Sequence, residues 1–392
     1  MRILILSFYY KPDLCAGSFR ATALVNAILE SSPASTRIEV LTTLPNRYSS
    51  FSATAAESER EHRLSIERIP LPNHKSGIFD QSRAFIEYAK QVRRFTADQT
   101  YDLIIATSSR LMTAALGAHV ARRTQSPLYL DIRDIFVDTI KDILPSNVAK
   151  IAHPLFSNIE RWTVRKARKI NLVSEGFSGY FSNRYPEKEF SYFSNGIDDE
   201  FLKDTDRPSQ RLPNQTLEVV YAGNIGEGQG LHHVVPELAK LLGENIRFTI
   251  VGDGGRKREL QEAIARSACR NVELRPPVGR DELLSIYKTA DVLFLHLNAH
   301  DAFMKVLPSK IFEYAALGKP ILAGAAGYPA SFIREHVENS AVFAPCDIDA
   351  AASALHKLKF QDVKRTDFIR KFSRRKIMNN MALDILDIAA RR

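Results

Sequence analysis

Residues 217–254 read LEVVYAGNIGEGQGLHHVVPELAKLLGENIRFTIVGDG. The opening LEVVYAGNIG is a short apolar run that stops at glycines, the pattern of a buried strand. GLHHVVPELAKLL places apolar residues at helical spacing. IRFTIVGDG is a second apolar run that again stops at glycines. A strand, a helix and a strand joined by tight Gly-rich turns form the crossover unit of a parallel sheet.

The same alternation extends in both directions. Downstream come the helix KRELQEAIARSA, the strand NVELRPPV, the helix DELLSIYKTA, the strand DVLFLHLN, the helix SKIFEYAALG and the strand PILAGA, with a late helix RRKIMNNMALDILDIAA. Upstream, MRILILSF, IEVLTTLP, LSIERIPLP, YDLIIATSS, SPLYLDIRD, INLVS and EFSYFSNG read as strands. Between them SFRATALVNAILES, FIEYAKQVRRF, LMTAALGAHVARR, LFSNIERWTVRKARK and EGFSGYFSNRY read as helices. The polar, Pro-containing DTDRPSQRLPNQT (204–216) separates the two series as a linker. The expected fold class is α/β, with two Rossmann-like doubly wound domains at 1–203 and 217–370. Segment 371–392 is expected to be a terminal helix that returns to the first domain. Two such domains place an interdomain cleft at the carboxyl ends of their sheets, where open α/β sheets bind ligands.

A chain of 392 residues is long enough for two cores. With 45% hydrophobic and 25% charged residues it reads as an ordinary soluble protein, and no apolar run reaches the roughly 18–20 residues of a membrane span. MRILILSFYY meets Lys11, Pro12 and Asp13 at once, so it reads as a first strand rather than a leader. Cys15, Cys269 and Cys346 are scattered and offer neither a disulfide framework nor a zinc spacing, which suits a reducing compartment. The net charge of +9 admits nucleic acid, an anionic membrane or a phosphate-bearing ligand, and chooses none of them.

Several strand ends carry candidate chemistry. Gly17 lies just ahead of an expected helix start, with Ser18 as the expected cap; unpaired N–H groups there suit an anion. Neither GxGxxG nor a Walker A pattern is present, which removes the dinucleotide fingerprint and the P-loop. Asp131, Arg133 and Asp134 cluster at the end of SPLYLDIRD, as an ion pair or as groups facing a ligand. Gly223, Gly226, Gly228 and Gly230 let the backbone approach a phosphate, with Asn224 and Gln229 as donors. Gly252 sits in a similar turn. In MKVLPSKIFEYAALGKPILAG (304–324), Ser309 is the expected N-cap and Lys310 opposes the helix dipole, which hints at a bound anion. Glu313 lies one turn on, where a carboxylate can accept both hydroxyls of a ribose. His232 and His233 are adjacent and expected to diverge; His296 and His300 flank a strand end as structural or substrate-facing groups.

These segments in this order resemble glycosyltransferase family 4, of the two-domain GT-B architecture. The likeness runs through Gly17, DIRD, LVSEG, SNGID, YAGNIG, IVGDG, NVELRPPVGRDEL, YKTADVLFL and PSKIFEYAALGKPIL. PSKxxEY with YAGNIG looks like the bacterial branch that builds O-antigen, capsule or exopolysaccharide. The resemblance implies transfer of a sugar from a nucleotide-diphosphate sugar, a UDP-sugar, to a saccharide or lipid-linked saccharide with retention of configuration. It implies no cofactor and no metal. Glu313 matches the second glutamate of an E-x7-E motif that holds the ribose. Ser309, Lys310 and the backbone near Leu307 would face the diphosphate, Pro276, Pro277 and Val278 the base, and Gly17 the phosphates. Arg133 falls where many members carry a histidine beside the transferred sugar. Arg133, Lys310 and Glu313 are thus the candidate catalytic residues, and Asp131 and Asp134 the acceptor- or sugar-facing ones. The pattern departs at Lys305, which replaces the first glutamate, and at Asn224 and Gln229, which replace an Arg and a Lys; Lys310, Lys305 or Arg256 would then carry the charge.

RWTVRKARK (161–169) gathers Arg161, Arg165, Lys166, Arg168 and Lys169 beside Trp162, a solvated helix face or a contact for an anionic membrane. A cytoplasmic protein, peripheral at the membrane face, is the expectation. No helix-turn-helix or aromatic–basic RNA motif supports a nucleic-acid partner. A nucleotide-sugar hydrolase or epimerase of the same fold, and a non-catalytic partner subunit, stay open.

Overall fold

The computed structural model describes residues 1–46, 54–72, 78–108, 111–138, 146–202 and 215–390. They fall into two compact units: Met1–Ser194 with Arg375–Arg392, and Asn195–Arg374.

The first unit holds β1 (Arg2–Leu6), β2 (Arg37–Thr43), β3 (Ser58–Arg60), β4 (Leu64–Ile69), β5 (Leu103–Thr107), β6 (Leu128–Ile132), β7 (Lys169–Leu172) and β8 (Phe190–Ser191). Their order in the sheet is β3-β4-β2-β1-β5-β6-β7-β8, and every neighbour pair is parallel except β3 with β4. β5 and β6 are buried at every residue, which is why the central strands read as continuous apolar runs rather than alternating ones. The chain reverses its winding between β1 and β5, opening a crevice at their carboxyl ends. The terminal helix Arg374–Ala390 inserts Met378, Met381, Ala382 and Ile385 into the same core as Ile3, Ile5, Val25 and Ile105.

The second unit holds β9 (Leu217–Asn224), β10 (Ile246–Asp253), β11 (Val272–Arg275), β12 (Val292–His296), β13 (Ile321–Gly324) and β14 (Ser340–Phe343), all parallel in the order β11-β10-β9-β12-β13-β14. Its switch point lies between β9 and β12. The helix Leu231–Leu242 covers one face with Leu231, Val234, Val235 and Leu238, each at 0% exposure.

The boundary expected at 203–217 lies earlier, at Ser194/Asn195. Segment 195–202 belongs to the second unit because Ile197 bridges to Ser373, and Asp198 pairs with Arg280 and Arg374. The linker expected at 204–216 falls outside the described residues except for Gln215 and Thr216. The expected strand EFSYFSNG pairs only at Phe190–Ser191.

Candidate functional site

Each unit brings candidate residues together at the carboxyl edge of its sheet. In the second unit, β9 and β10 run in register to Asp253 opposite Asn224, with Gly252 opposite Gly223 one residue before. Both have positive φ, +144° and +152°, and a Cβ on Gly252 would collide with the Gly223 carbonyl. Only glycine permits this approach, which ends the two strands side by side. The chain then turns through a short 3-10 segment, Glu227–Gln229, and Gly230 at φ +54° launches the helix Leu231–Leu242. The Asn224 amide donates to Gln229 Oε1 at 2.8 Å, over Gly226, where a Cβ would collide with it. The two residues that replace a cationic pair thus form a neutral one.

The cation nearest to this turn is Lys310. Its Nζ rests against Gly223, where a Cβ would collide with it, and lies 5.2 Å from the centre of the Tyr221 ring. Lys310 opens the helix Lys310–Ala316, and Glu313 sits one turn further on, partly buried. Burial raises the Glu313 pKa, and the charges of Lys310 and Arg280 oppose that rise. The helix is tied to β9 because the Ala222 N–H donates to the Tyr314 hydroxyl at 3.3 Å. Its other end is closed by Gly318 at φ +76° and by Arg365, whose guanidinium donates to the carbonyls of Ala315 and Lys319. Arg365 is 5% exposed, and burial pushes its pKa down to about 10. Nothing in its local sequence pointed to this cap, since the contact spans about fifty residues.

Other expectations for this unit change. Ser309 holds the N-cap position, but with helical dihedrals and no side-chain capping bond. Leu307 is buried at 4% exposure, and only its backbone can serve a ligand. Pro276, Pro277 and Val278 follow β11 on the same edge of the sheet and are partly open. Arg256 is already paired, with Glu227 at 2.7 Å and Glu259 at 2.8 Å. His232 and His233 do not diverge; their rings lie 3.9 Å apart.

In the first unit, Gly17 is not in a loop but in the first turn of the helix Ala16–Ser31, with Cys15 as N-cap, so Ser18 caps nothing. A Cβ on Gly17 would lie 2.8 Å from Arg133 Nη1. The structure therefore places Gly17, a helix start and a guanidinium together. Ser108, at the end of β5, receives the Arg133 N–H at 3.0 Å.

Asp131 cannot face a ligand. It is fully buried, and Arg20, itself 1% exposed, donates to both its oxygens at 2.8 and 2.9 Å. Asn171 donates to it at 2.8 Å. Burial alone would raise its pKa, but the Arg20 charge outweighs that and holds it below the usual value. The expectation failed because Asp131 is still inside β6, flanked by β5 and β7, whereas Asp134 lies beyond the strand end. Asp134 Oδ1 is buried with no hydrogen-bond partner among the described residues, and burial pushes its pKa up to about 6.

Within 161–169, Arg161, Arg165, Lys166 and Arg168 are exposed, on or just after the helix Ser146–Lys166. Lys169 leaves that set, since it is bound to Asp384 at 2.5 Å and Glu189 at 3.2 Å. Leu155 and Val148 on the same helix are 58% and 51% exposed. Among the described residues no helix is long and apolar enough to cross a membrane.

Comparison with known proteins matches residues 31–196 to a glycosyl transferase 4-like domain and residues 203–375 to the glycosyl transferases group 1. WcaI of Escherichia coli K12, named as a colanic acid biosynthesis glycosyl transferase, is 30% identical over 172 residues, 44% of this chain and 40% of WcaI. The 2-deoxystreptamine glucosyltransferase of Streptomyces kanamyceticus is 23% identical over 67% of this chain and 70% of its own. Among solved structures, Anabaena HepE in complex with UDP and glucose superposes with a TM-score of 0.68 at 16% identity, covering 99% of this chain and 100% of HepE. Sucrose-phosphate synthase from Thermosynechococcus elongatus superposes with a TM-score of 0.70 at 12% identity, over 100% and 97%. Two parallel-sheet α/β units, each half matched by a glycosyltransferase domain, place the chain in the glycosyltransferases of the GT-B fold.

Proposed function

We propose that the protein transfers a sugar from a nucleotide-diphosphate sugar, a UDP-sugar, to a saccharide or lipid-linked saccharide acceptor with retention of configuration, in the assembly of a cell-surface polysaccharide. One observation carries the reading: Lys310 and Glu313 stand one turn apart on a helix whose first turn presses the Lys310 amine against Gly223. A cation at a glycine-lined strand end suits a diphosphate, and a carboxylate one turn below it suits a ribose. The name of WcaI and the UDP and glucose bound to HepE support the substrate class.

In this reading the acceptor oxygen forms a bond to the anomeric carbon as the bond from that carbon to the diphosphate breaks. The acceptor proton passes to the departing diphosphate. Negative charge grows on the leaving group, so Lys310 and the backbone N–H groups of 226–228 do the most where the barrier is highest. They supply the positive charge themselves, and the proposal calls for no metal and no further cofactor. Gly223, Asn224, Gly226, Gln229, Gly252, Leu307 and Ser309 line the donor, with Pro276, Pro277 and Val278 at the base. Within the first unit, Gly17 suits a phosphate, Arg133 a sugar and Asp134 an acceptor.

The exposed Arg161, Arg165, Lys166 and Arg168, with Leu155 and Val148, support peripheral contact with an anionic membrane on the cytoplasmic side. Each such cation near an anionic leaflet contributes about 1 kcal/mol.

Product analysis tests the proposal. Labelled UDP-sugar incubated with protein and a membrane saccharide extract should yield UDP and labelled glycoside in equal amounts. Free labelled sugar or an epimer in place of glycoside would support the hydrolase or epimerase alternative, and no turnover the non-catalytic subunit.

A further inference from the structure

His296 ends β12 and has 1% exposure. Its ring lies stacked with Phe294 and Phe343, at interplanar angles of 14° and 29°. Gly324 of the neighbouring strand leaves room for it, since a Cβ there would collide with the imidazole. Nδ1 lies 2.7 Å from the Gln229 carbonyl oxygen, and Nε2 lies 2.9 Å from the Cys346 backbone nitrogen. A carbonyl only accepts and a backbone N–H only donates. Nδ1 must therefore carry the proton and Nε2 must be bare, so both neighbours force one neutral tautomer.

The place of this ring matters more than its burial. β12 and β9 pair only at Val292 with Val219 and Leu293 with Val220. Beyond that point the strands separate, although β9 continues to Asn224 and β12 to His296. The gap is the crevice at the switch point. His296 spans it, and Asn298 helps: its backbone N–H donates to Gly228 O at 2.9 Å and its amide to Glu227 O at 3.1 Å. The peptide that His296 grips belongs to Gln229, whose side chain holds Asn224, and it precedes the left-handed Gly230 that starts the helix Leu231–Leu242.

We infer that His296 is a positioning residue for nucleotide diphosphate binding: through the Gln229 carbonyl it sets the geometry of loop 224–230 and of the helix start that follows. The inference rests on the donor site proposed above. The ring does not touch the ligand; it fixes the backbone that does. A carbonyl left without its donor is free to turn, and the Asn224–Gln229 pair turns with it.

Isothermal titration with UDP, GDP and dTDP tests this on the full chain, with His296→Phe, His296→Asn and His296→Gln beside the wild type. Phe keeps the stacking and loses both hydrogen bonds. The Asn amide overlays Nδ1 and restores donation to Gln229; the Gln amide overlays Nε2 and reaches only Cys346. The affinity for the bound nucleotide should fall about 10-fold or more in Phe and Gln, the cost of one buried unsatisfied carbonyl, and recover most of that loss in Asn. Thermal melting of each free protein monitors folding. If Phe fails to fold, the Asn and Gln pair carries the comparison. Variants that fold less stably but bind nucleotide as the wild type does would make His296 purely structural and overturn the inference alone. A wild type that binds none of the three nucleotides would overturn the donor site and this inference with it.

Discussion

Replacing Lys310 by Met keeps the aliphatic stem and removes the charge. The amine rests against Gly223 at the end of β9, where the diphosphate is proposed to sit. Two unit charges about 4 Å apart at an effective dielectric near 20 interact by about 4 kcal/mol. One further negative charge appears on the diphosphate as its bond to the sugar breaks. If Lys310 supplies that interaction alone, kcat falls about 1,000-fold; if the backbone N–H groups share it equally, about 30-fold. Folding should not suffer. A lysine in the first turn opposes the helix dipole by roughly 0.3–1 kcal/mol, so Lys310→Met should melt at the same temperature as the wild type or slightly above. Lys310→Arg should rescue poorly, because an amine packed against a glycine leaves no room for a planar guanidinium. Release of nucleoside diphosphate at saturating donor gives kcat, and melting of the free protein gives the control. A folded Lys310→Met whose kcat stays within about threefold of wild type would refute the reasoning, since no more than about 0.7 kcal/mol would then pass through that charge.

Gly223→Ala places a methyl group on the Lys310 amine in a backbone conformation that side chains rarely adopt, at φ +144°. It should cost about 1–3 kcal/mol of stability and weaken nucleotide affinity; urea unfolding and titration calorimetry check both, and unchanged affinity would detach Lys310 from the site. Asp131→Asn strands the buried Arg20 guanidinium and should destabilise the fold by about 3–5 kcal/mol in urea; a loss below about 1 kcal/mol would contradict the pairing. Asp134 has a folded pKa of about 6 against an ordinary 3.8, so the fold binds the extra proton and loses stability as pH rises through that window. Asp134→Asn should therefore gain at most about 3 kcal/mol at pH 8 and almost none at pH 3; equal urea midpoint shifts at both pH values would rule out a strained carboxylate.

The central strands of both sheets were legible because burial on both faces leaves an uninterrupted apolar run such as LIIA or VLFL. The edges were not. β3 is the tripeptide Ser58–Arg60, too short and polar to show a period. β14 and the helices Gly327–His336, Ile348–Leu355 and Thr366–Phe372 lie in a stretch where the sequence predicts no elements. Among the candidate site residues, Lys310, Glu313, Gly223 and Gly252 stand out in the sequence because they sit at element ends marked by glycine and proline. Asp131 and Asp134 could not be told apart, since direction depends on where β6 stops. His296 was visible as a histidine at a strand end. Its partners, Gln229 and Cys346, are far away in the chain, so no local pattern could reveal its role.

The donor site is the central claim, and nucleotide-induced stabilisation tests it most directly. Purified protein and Glu313→Ala should be melted with UDP-, GDP-, dTDP- and CMP-sugars. A ligand that binds only the folded state at 100 times its Kd adds about 2.7 kcal/mol. The account predicts that UDP-sugars raise the wild-type midpoint by several degrees and that Glu313→Ala, folded but lacking its ribose carboxylate, loses most of that shift. No shift with any nucleotide sugar at millimolar concentration, or an equal shift in Glu313→Ala, would contradict it.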